Sequence, residues 1–223
     1  LNIMQASLRS TQEIQELSKK ISSWDCIDVV YFADSLGSMS QNDIEEVYRA
    51  IAKHWKKDIG FHSHNNMGQA LTNVNAALDI GCNWIDGTVT GMGRGAGNAA
   101  TEYLFLEKRI KRDDYDPSPL FNLVKNHFLE MKQECGWGAS IPYYIGALNN
   151  VHPTYVQELC KDTTINEEFI PKIIQDLGQL QNPNSFNQEK LERGEKIEEE
   201  TPLNNEEVYY SLKKKNFTSV KVL

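Results

Sequence analysis

The chain has 223 residues, with 23 lysines and arginines against 31 aspartates and glutamates, for a formal net charge of −8. That balance offers no cationic stripe for a nucleic acid, since the dense basic clusters, Lys56-Lys57 and Lys213-Lys214-Lys215, each stand beside acidic neighbours. No apolar run approaches the roughly 20 residues of a membrane helix and no signal-type segment opens the chain, so the expectation is a globular, cytoplasmic protein without a membrane partner.

In chain order, residues 1–5 read as a strand, and Ile14, Leu17, Ser18 and Ile21 as one stripe of a helix. Residues 27–33, rich in β-branched and aromatic side chains, form a buried strand closed by Asp34-Ser35-Leu36-Gly37. Ser40 then caps a helix with Asp43 in the N3 place, and Ile44, Val47, Tyr48, Ile51, Ala52 and Trp55 share one face. Residues 58–65 form a strand, 70–78 a helix, and 84–90 a strand; a further helix begins near Ala99 and runs towards Ile110. Strand starts recur at the interval of roughly 30 residues expected of βαβ units, which pair their strands in parallel through right-handed crossovers. The fold class is α/β.

Beyond residue 116 the pattern turns helical, with helices expected over 120–135, 153–160 and 167–177. The Gln- and Asn-rich residues 179–188 and the mixed-charge residues 189–200 read as a mobile or extended tail. The chain therefore divides into residues 1–116, an α/β region, and residues 117–223, a helical region with a polar tail. Cys26, Cys82, Cys135 and Cys160 show neither disulfide-framework nor metal-ligand spacing and are expected to be buried free thiols.

Three features could carry chemistry. His62-Ser63-His64 closes a predicted strand, and residues i and i+2 of a strand share a face, so both imidazoles can converge on one ion. Asn65-Asn66 and Gly68 follow at the strand's carboxyl end, where parallel α/β folds place their sites. Gly91-Met92-Gly93-Arg94-Gly95-Ala96-Gly97-Asn98 follows the next strand. It lacks the Lys-Ser/Thr of a P-loop, but Arg94 offers a fixed cation for a carboxylate and Asn98 a neutral oxygen ligand. Asp34-Ser35 ends the preceding strand, so three adjacent strands deliver these groups to one rim.

These segments, with Gln69-Ala70 and Glu102, closely resemble the metal-dependent lyases and Claisen-type synthases of the DRE-TIM, HMGL-like family. The resemblance covers residues 1–112, and residues 31–40 look most like its 4-hydroxy-2-oxovalerate aldolases. It implies a TIM barrel and carbon–carbon bond cleavage or formation next to a small-molecule 2-oxo acid, with pyruvate enolate chemistry. The implied cofactor is a divalent ion on His62, His64 and Asn98; mixed nitrogen and oxygen donors favour Mn²⁺ or Mg²⁺ and admit Zn²⁺. Asp34, Ser35, Gly93 and Gly95 are implied to line the substrate, and Arg94 to neutralise its carboxylate. A catalytic tyrosine from the segment after the barrel corresponds to Tyr143 or Tyr144, of which Tyr144 is taken as the site residue. The loop has no cysteine, which disfavours a hydroxymethylglutaryl-CoA lyase.

In this family the HxH pair lies on the seventh strand, so the strands read here are the fifth to eighth, the C-terminal half of a (β/α)₈ barrel. Leu8-Arg9-Ser10 has a serine where the family's first-strand motif carries an acid ligand. Half a barrel leaves two edges and an open concave face. The expectation is a piece of a longer enzyme, weak or inactive alone; association of two halves in a homo-oligomer, or a cover formed by the last hundred residues, are the alternatives. The rival functions are an acyl-CoA-dependent synthase of the 2-isopropylmalate or homocitrate type and a non-catalytic binding module.

Overall fold

A computed structural model describes residues 1–107 and 116–191. Its sheet has four parallel strands in chain order: β1 (Asn2–Ile3), β2 (Val29–Asp34), β3 (Asp58–Ser63) and β4 (Trp84–Ile85). Helices α1 (Thr11–Ile21), α2 (Gln41–Ala52) and α3 (Ala70–Ile80) make the crossovers, and α4 (Thr101–Leu106) follows the glycine-rich loop. This is the α/β architecture expected, a sheet and helix layer of partial-barrel type.

Local sequence explains the elements. Ser40 and Asp43 form the anticipated capping box on α2, and Ser10 with Glu13 forms another on α1. The apolar stripes of both helices pack on the sheet, with Ile14, Ile21, Ile44 and Ile51 fully or almost fully buried. Ser18, also buried, donates from Oγ to the Ile51 carbonyl at 2.7 Å, which joins α1 to α2 without leaving a polar atom unpaired. At the centre the Phe32 and Phe61 rings lie 4.9 Å apart on adjacent strands. Burying such side chains contributes ~1.5–3 kcal/mol apiece.

The last strand is shorter than its sequence predicts. Only Trp84 and Ile85 pair with β3, and the chain then swings away. Thr88 hydrogen-bonds through its N–H to Ala99 O and through its carbonyl to Thr101 N, while Val89–Gly91 forms a tight turn with Thr90 at φ 55°. The glycine loop and the start of α4 take the backbone partners that a longer strand would have used.

The second region holds α5 (Ser118–Leu123), a π-helical turn (Val124–Phe128), α6 (Leu129–Cys135), α7 (Ile141–Leu148), α8 (Pro153–Lys161) and α9 (Ile170–Gly178). Helix α7 is absent from the periodicity reading, but it falls in residues 137–150, where the family resemblance implies a helical segment carrying a tyrosine. Pro142 in its first turn fits the helix, because the missing N–H is one the helix leaves unpaired there. The helix predicted over 167–177 starts as a single 3₁₀ turn, Glu167–Phe169, and continues as α9. Tyr143, Tyr155, Val156, Leu159, Ile173, Ile174 and Leu177 bury a second apolar cluster, which reaches Ala96 in the glycine loop.

Residues 179–188 are not a mobile tail. Tyr155 Oη donates to Ser185 O and accepts from Asn187 N, Pro183 O accepts from His152 N, and Leu191 is buried. The rest of the predicted polar tail, like residues 108–110 of the fourth helix, lies outside the described residues. The cysteines are all free, but Cys82 alone is buried; Cys26, Cys135 and Cys160 stand at turns and helix ends that face solvent. No helix among the described residues is long and apolar enough to cross a membrane.

Candidate metal centre

His62 and His64 stand at the carboxyl end of β3, with their ring centroids 4.8 Å apart and nearly perpendicular. Each ring is held from behind. His62 Nδ1 donates to Asp86 Oδ2 at 2.9 Å, just past β4, and His64 Nδ1 donates to the Asp34 carbonyl at 2.7 Å, at the end of β2. A carbonyl and a carboxylate can only accept, so the neutral form of either ring carries its proton on Nδ1 and keeps the Nε2 lone pair. That is the state of a metal-ligating histidine, whose second nitrogen normally donates to a carboxylate or backbone carbonyl. Tyr31 extends the support: its hydroxyl donates to Asp86, and burial first, then this negative neighbour, push its pKa up to about 12. Tyr31 lies flat over Gly60, where a Cβ would stand 2.5 Å from the ring. Burial, opposed by the Asp34 carbonyl and reinforced by His62 and Arg94, holds His64 below the ordinary histidine range and so keeps it neutral.

The glycine-rich loop locks beside this pair. Asn65 N donates to Gly97 O at 2.8 Å and Asn98 N to Gly91 O at 3.0 Å. A side chain on Gly97, at φ 77°, would collide with the Gly91 carbonyl. Gly93 and Gly95, expected to line the substrate, do something else: a Cβ on Gly93 would meet the Asn98 amide at 2.5 Å, and one on Gly95 the Tyr143 ring at 2.5 Å. They are small because the loop is packed. Asn98 Nδ2 donates to Met92 O at 3.1 Å, which leaves Oδ1 without a hydrogen-bond partner among the described residues. Asn98 pairs with His64 through backbone, and it also lines a cavity of about 390 Å³ with Asn65, Glu102 and Lys132.

A second cavity, of about 290 Å³, opens on the histidine rim and is lined by Met4, Gln5, Ser35, His64, Asn66, Arg94, His152 and Pro153. It brings together Ser35, His64 and Arg94. Asp34 is not a wall of it: its side chain is fully buried, and its carboxylate accepts from Ser38 N at 3.0 Å and Met39 N at 3.1 Å to close the loop after β2. Burial outweighs those hydrogen bonds and raises its pKa to about 6. Tyr144 is 43% exposed, whereas its neighbour Tyr143 is buried against Gly95. The helical turn of α7 aims only one of the two adjacent tyrosines at the loop, and it is Tyr143. Burial foremost pushes Tyr143 up to about 12, with the Arg94 charge pulling the other way.

Sequence reasoning missed Asp86, Gln5 and His152. Asp86 carried a signal, the one charged residue in the predicted strand over residues 84–90, next to the histidine strand. Among the described residues no cluster of three or more His, Cys, Asp or Glu side chains forms a metal site, so the histidine pair is an incomplete ligand set with a fitting donor chemistry: two imidazoles bonded at Nδ1, whose neutral form presents a lone pair at Nε2.

The HMGL-like family model matches residues 1–119. The chain belongs to the HMGL-like family. A curated 4-hydroxy-2-oxovalerate aldolase from Chloroflexus aggregans is 41% identical over 102 residues, 46% of this chain and 29% of the relative. One from Bacillus thuringiensis is 31% identical over 153 residues, 66% of this chain and 45% of the relative. The chain thus spans less than half the length of these curated relatives. Among solved structures, the N-terminal domain of a candidate aldolase from Bacteroides vulgatus superposes with a TM-score of 0.64 at 28% identity, over 73% of this chain and 54% of that one. The carboxyl transferase domain of Rhizobium etli pyruvate carboxylase shares the fold, with a TM-score of 0.62 at 14% identity, over 80% of this chain and 32% of that one.

Proposed function

We propose that this chain supplies the metal-holding rim of a divalent-metal-dependent aldolase that cleaves or forms a carbon–carbon bond next to a 2-oxo acid, as in a 4-hydroxy-2-oxovalerate aldolase. The observation that carries the reading is the pair of imidazoles, each satisfied at Nδ1 from behind and free at Nε2. His62 and His64 hold the ion, with Asn98 Oδ1 the third donor from this chain. Such an ion, Mn²⁺ or Mg²⁺ by its mixed donors, supplies Lewis-acid stabilisation of the enolate charge that develops on the 2-oxo acid. Arg94, exposed and without a carboxylate partner among the described residues, neutralises the substrate carboxylate. Ser35 accepts the Gln5 N–H at 2.8 Å, which leaves its hydroxyl proton for a substrate oxygen. Tyr143, packed on Gly95, sets the shape of the loop that carries Arg94.

The four parallel strands are read as the fifth to eighth of a (β/α)₈ barrel, with both outer edges closed by further strands of the same protein or by a second copy. The free cysteines fit a reducing, cytoplasmic setting. The deciding assay offers the full-length protein racemic 4-hydroxy-2-oxovalerate with Mn²⁺ and, separately, acetyl-CoA with a set of 2-oxo acids. Pyruvate release in the first is expected. Thiol release in the second, with none of the first, would assign the protein to the acyl-CoA-dependent synthases.

A further inference from the structure

The helical region places a third histidine at the cavity, and its hydrogen bonding is the reverse of the other two. His152 is the N-cap of α8 and lines the same cavity as His64, Ser35 and Arg94. Its Nδ1 accepts from the backbone N–H of Thr154 at 3.2 Å. A backbone N–H can only donate, so Nδ1 must be the unprotonated nitrogen, and a neutral ring then carries its hydrogen on Nε2. The backbone that carries the ring is also held: the His152 N–H donates to Pro183 O at 2.9 Å, and Pro153 beside it is rigid.

We propose that His152 is a substrate-contacting residue of this site, a neutral Nε2–H donor that hydrogen-bonds a carboxylate or keto oxygen of the 2-oxo acid together with Arg94. This rests on the reading of the cavity as the site of a 2-oxo acid. Burial first, and the Arg94 charge second, hold His152 below the ordinary histidine range, which keeps it neutral near pH 7. A neutral donor suits the place. It adds a directional bond next to the guanidinium without a second positive charge, and it cannot compete for the cation, because its lone pair is occupied by the helix. The cavity so assembled is lined by Arg94, His152 and Ser35, a set of donors suited to a small, oxygen-rich anion.

Two substitutions separate the cap from the donor. Asparagine reproduces the Nδ1 acceptor and is among the best helix caps, but has nothing at the Nε2 position; glutamine reproduces the Nε2–H donor and forfeits the cap. In the full chain with Mn²⁺, pyruvate affinity measured by calorimetry is expected to fall about tenfold or more in His152→Asn, with an unchanged melting temperature, and to stay within about threefold in His152→Gln. A purely structural histidine gives the opposite order. Two-bond ¹H–¹⁵N spectra of the metal-free wild type, which do not depend on any variant folding, should show His152 as the Nε2–H tautomer. An Nδ1–H tautomer, or pyruvate bound equally by wild type and His152→Asn, overturns the inference while leaving the metal site standing. Wild type that takes up Mn²⁺ but no pyruvate overturns it together with the 2-oxo acid reading; wild type that takes up no Mn²⁺ points to failure of the metal reading itself.

Discussion

The sheet region, residues 1–107, and the helical region, residues 116–191, each bring a histidine to one cavity, His64 with His62 beside it and His152, yet they prepare them differently. On the sheet side His62 and His64 stand at strand ends, where the neighbouring strands present the Asp34 carbonyl and the Asp86 carboxylate. On the helical side His152 stands at a helix start, where the first turn presents unpaired N–H groups. The element behind a histidine thus decides which nitrogen keeps the proton. Strand ends produce ligands with a free lone pair; a helix start produces a donor.

The sheet-side helix α2 and the first helices of the helical region also differ in how firmly they are built. Helix α2 buries Ile44, Val47, Ala50 and Ile51, whereas none of the residues in Ser118–Leu123, Val124–Phe128 and Leu129–Cys135 is buried. Ile51→Ala should therefore cost ~2–5 kcal/mol in urea unfolding, and Leu129→Ala, 53% exposed, less than about 0.5 kcal/mol. Equal losses would erase the distinction.

Glycines sharpen it at the next level. Gly97→Ala forces a left-handed residue and a collision with the Gly91 carbonyl, so a loss above about 2 kcal/mol is expected, together with loss of Mn²⁺ uptake. Gly136→Ala, at φ 71° after α6 with nothing within 4 Å, meets only the backbone penalty of ~1 kcal/mol and should leave Mn²⁺ uptake intact.

Asp86→Asn probes the support behind His62. An amide can offer the ring its own N–H and so admits the wrong tautomer, and Mn²⁺ affinity is expected to fall ~10–100-fold, with Tyr31→Phe reducing it less. On the helical side the corresponding effect is confined to stability. Tyr155→Phe removes the hydroxyl that ties Ser185 and Asn187 to α8, at about 1 kcal/mol in unfolding, with no change in Mn²⁺ affinity.

Much of the sheet side was legible in the sequence because period and punctuation there agree: apolar strands, a capped amphipathic helix over Gln41–Ala52, and polar groups just past each strand. The His62 and His64 pair was legible because a strand fixes the direction of alternate side chains. Asp34 was misread, since nothing in the one-dimensional pattern tells a carboxylate aimed at a cavity from one folded back on Ser38 and Met39. Tyr143 and Tyr144 differ only by the 100° of one helical step, which needs the helix Ile141–Leu148 to be recognised first. His152 and the pinning of residues 182–187 depend on contacts between distant segments, and residues 179–188 look disordered by composition although Tyr155 and His152 hold them.

The central claim is that the two strand-borne imidazoles hold a divalent cation, and calorimetric titration of the metal-free chain with Mn²⁺ tests it most directly. Saturable binding of about one ion per chain, abolished in the double variant His62→Ala plus His64→Ala, is the expected result. Binding that survives in the double variant, or none in the wild type, would contradict it.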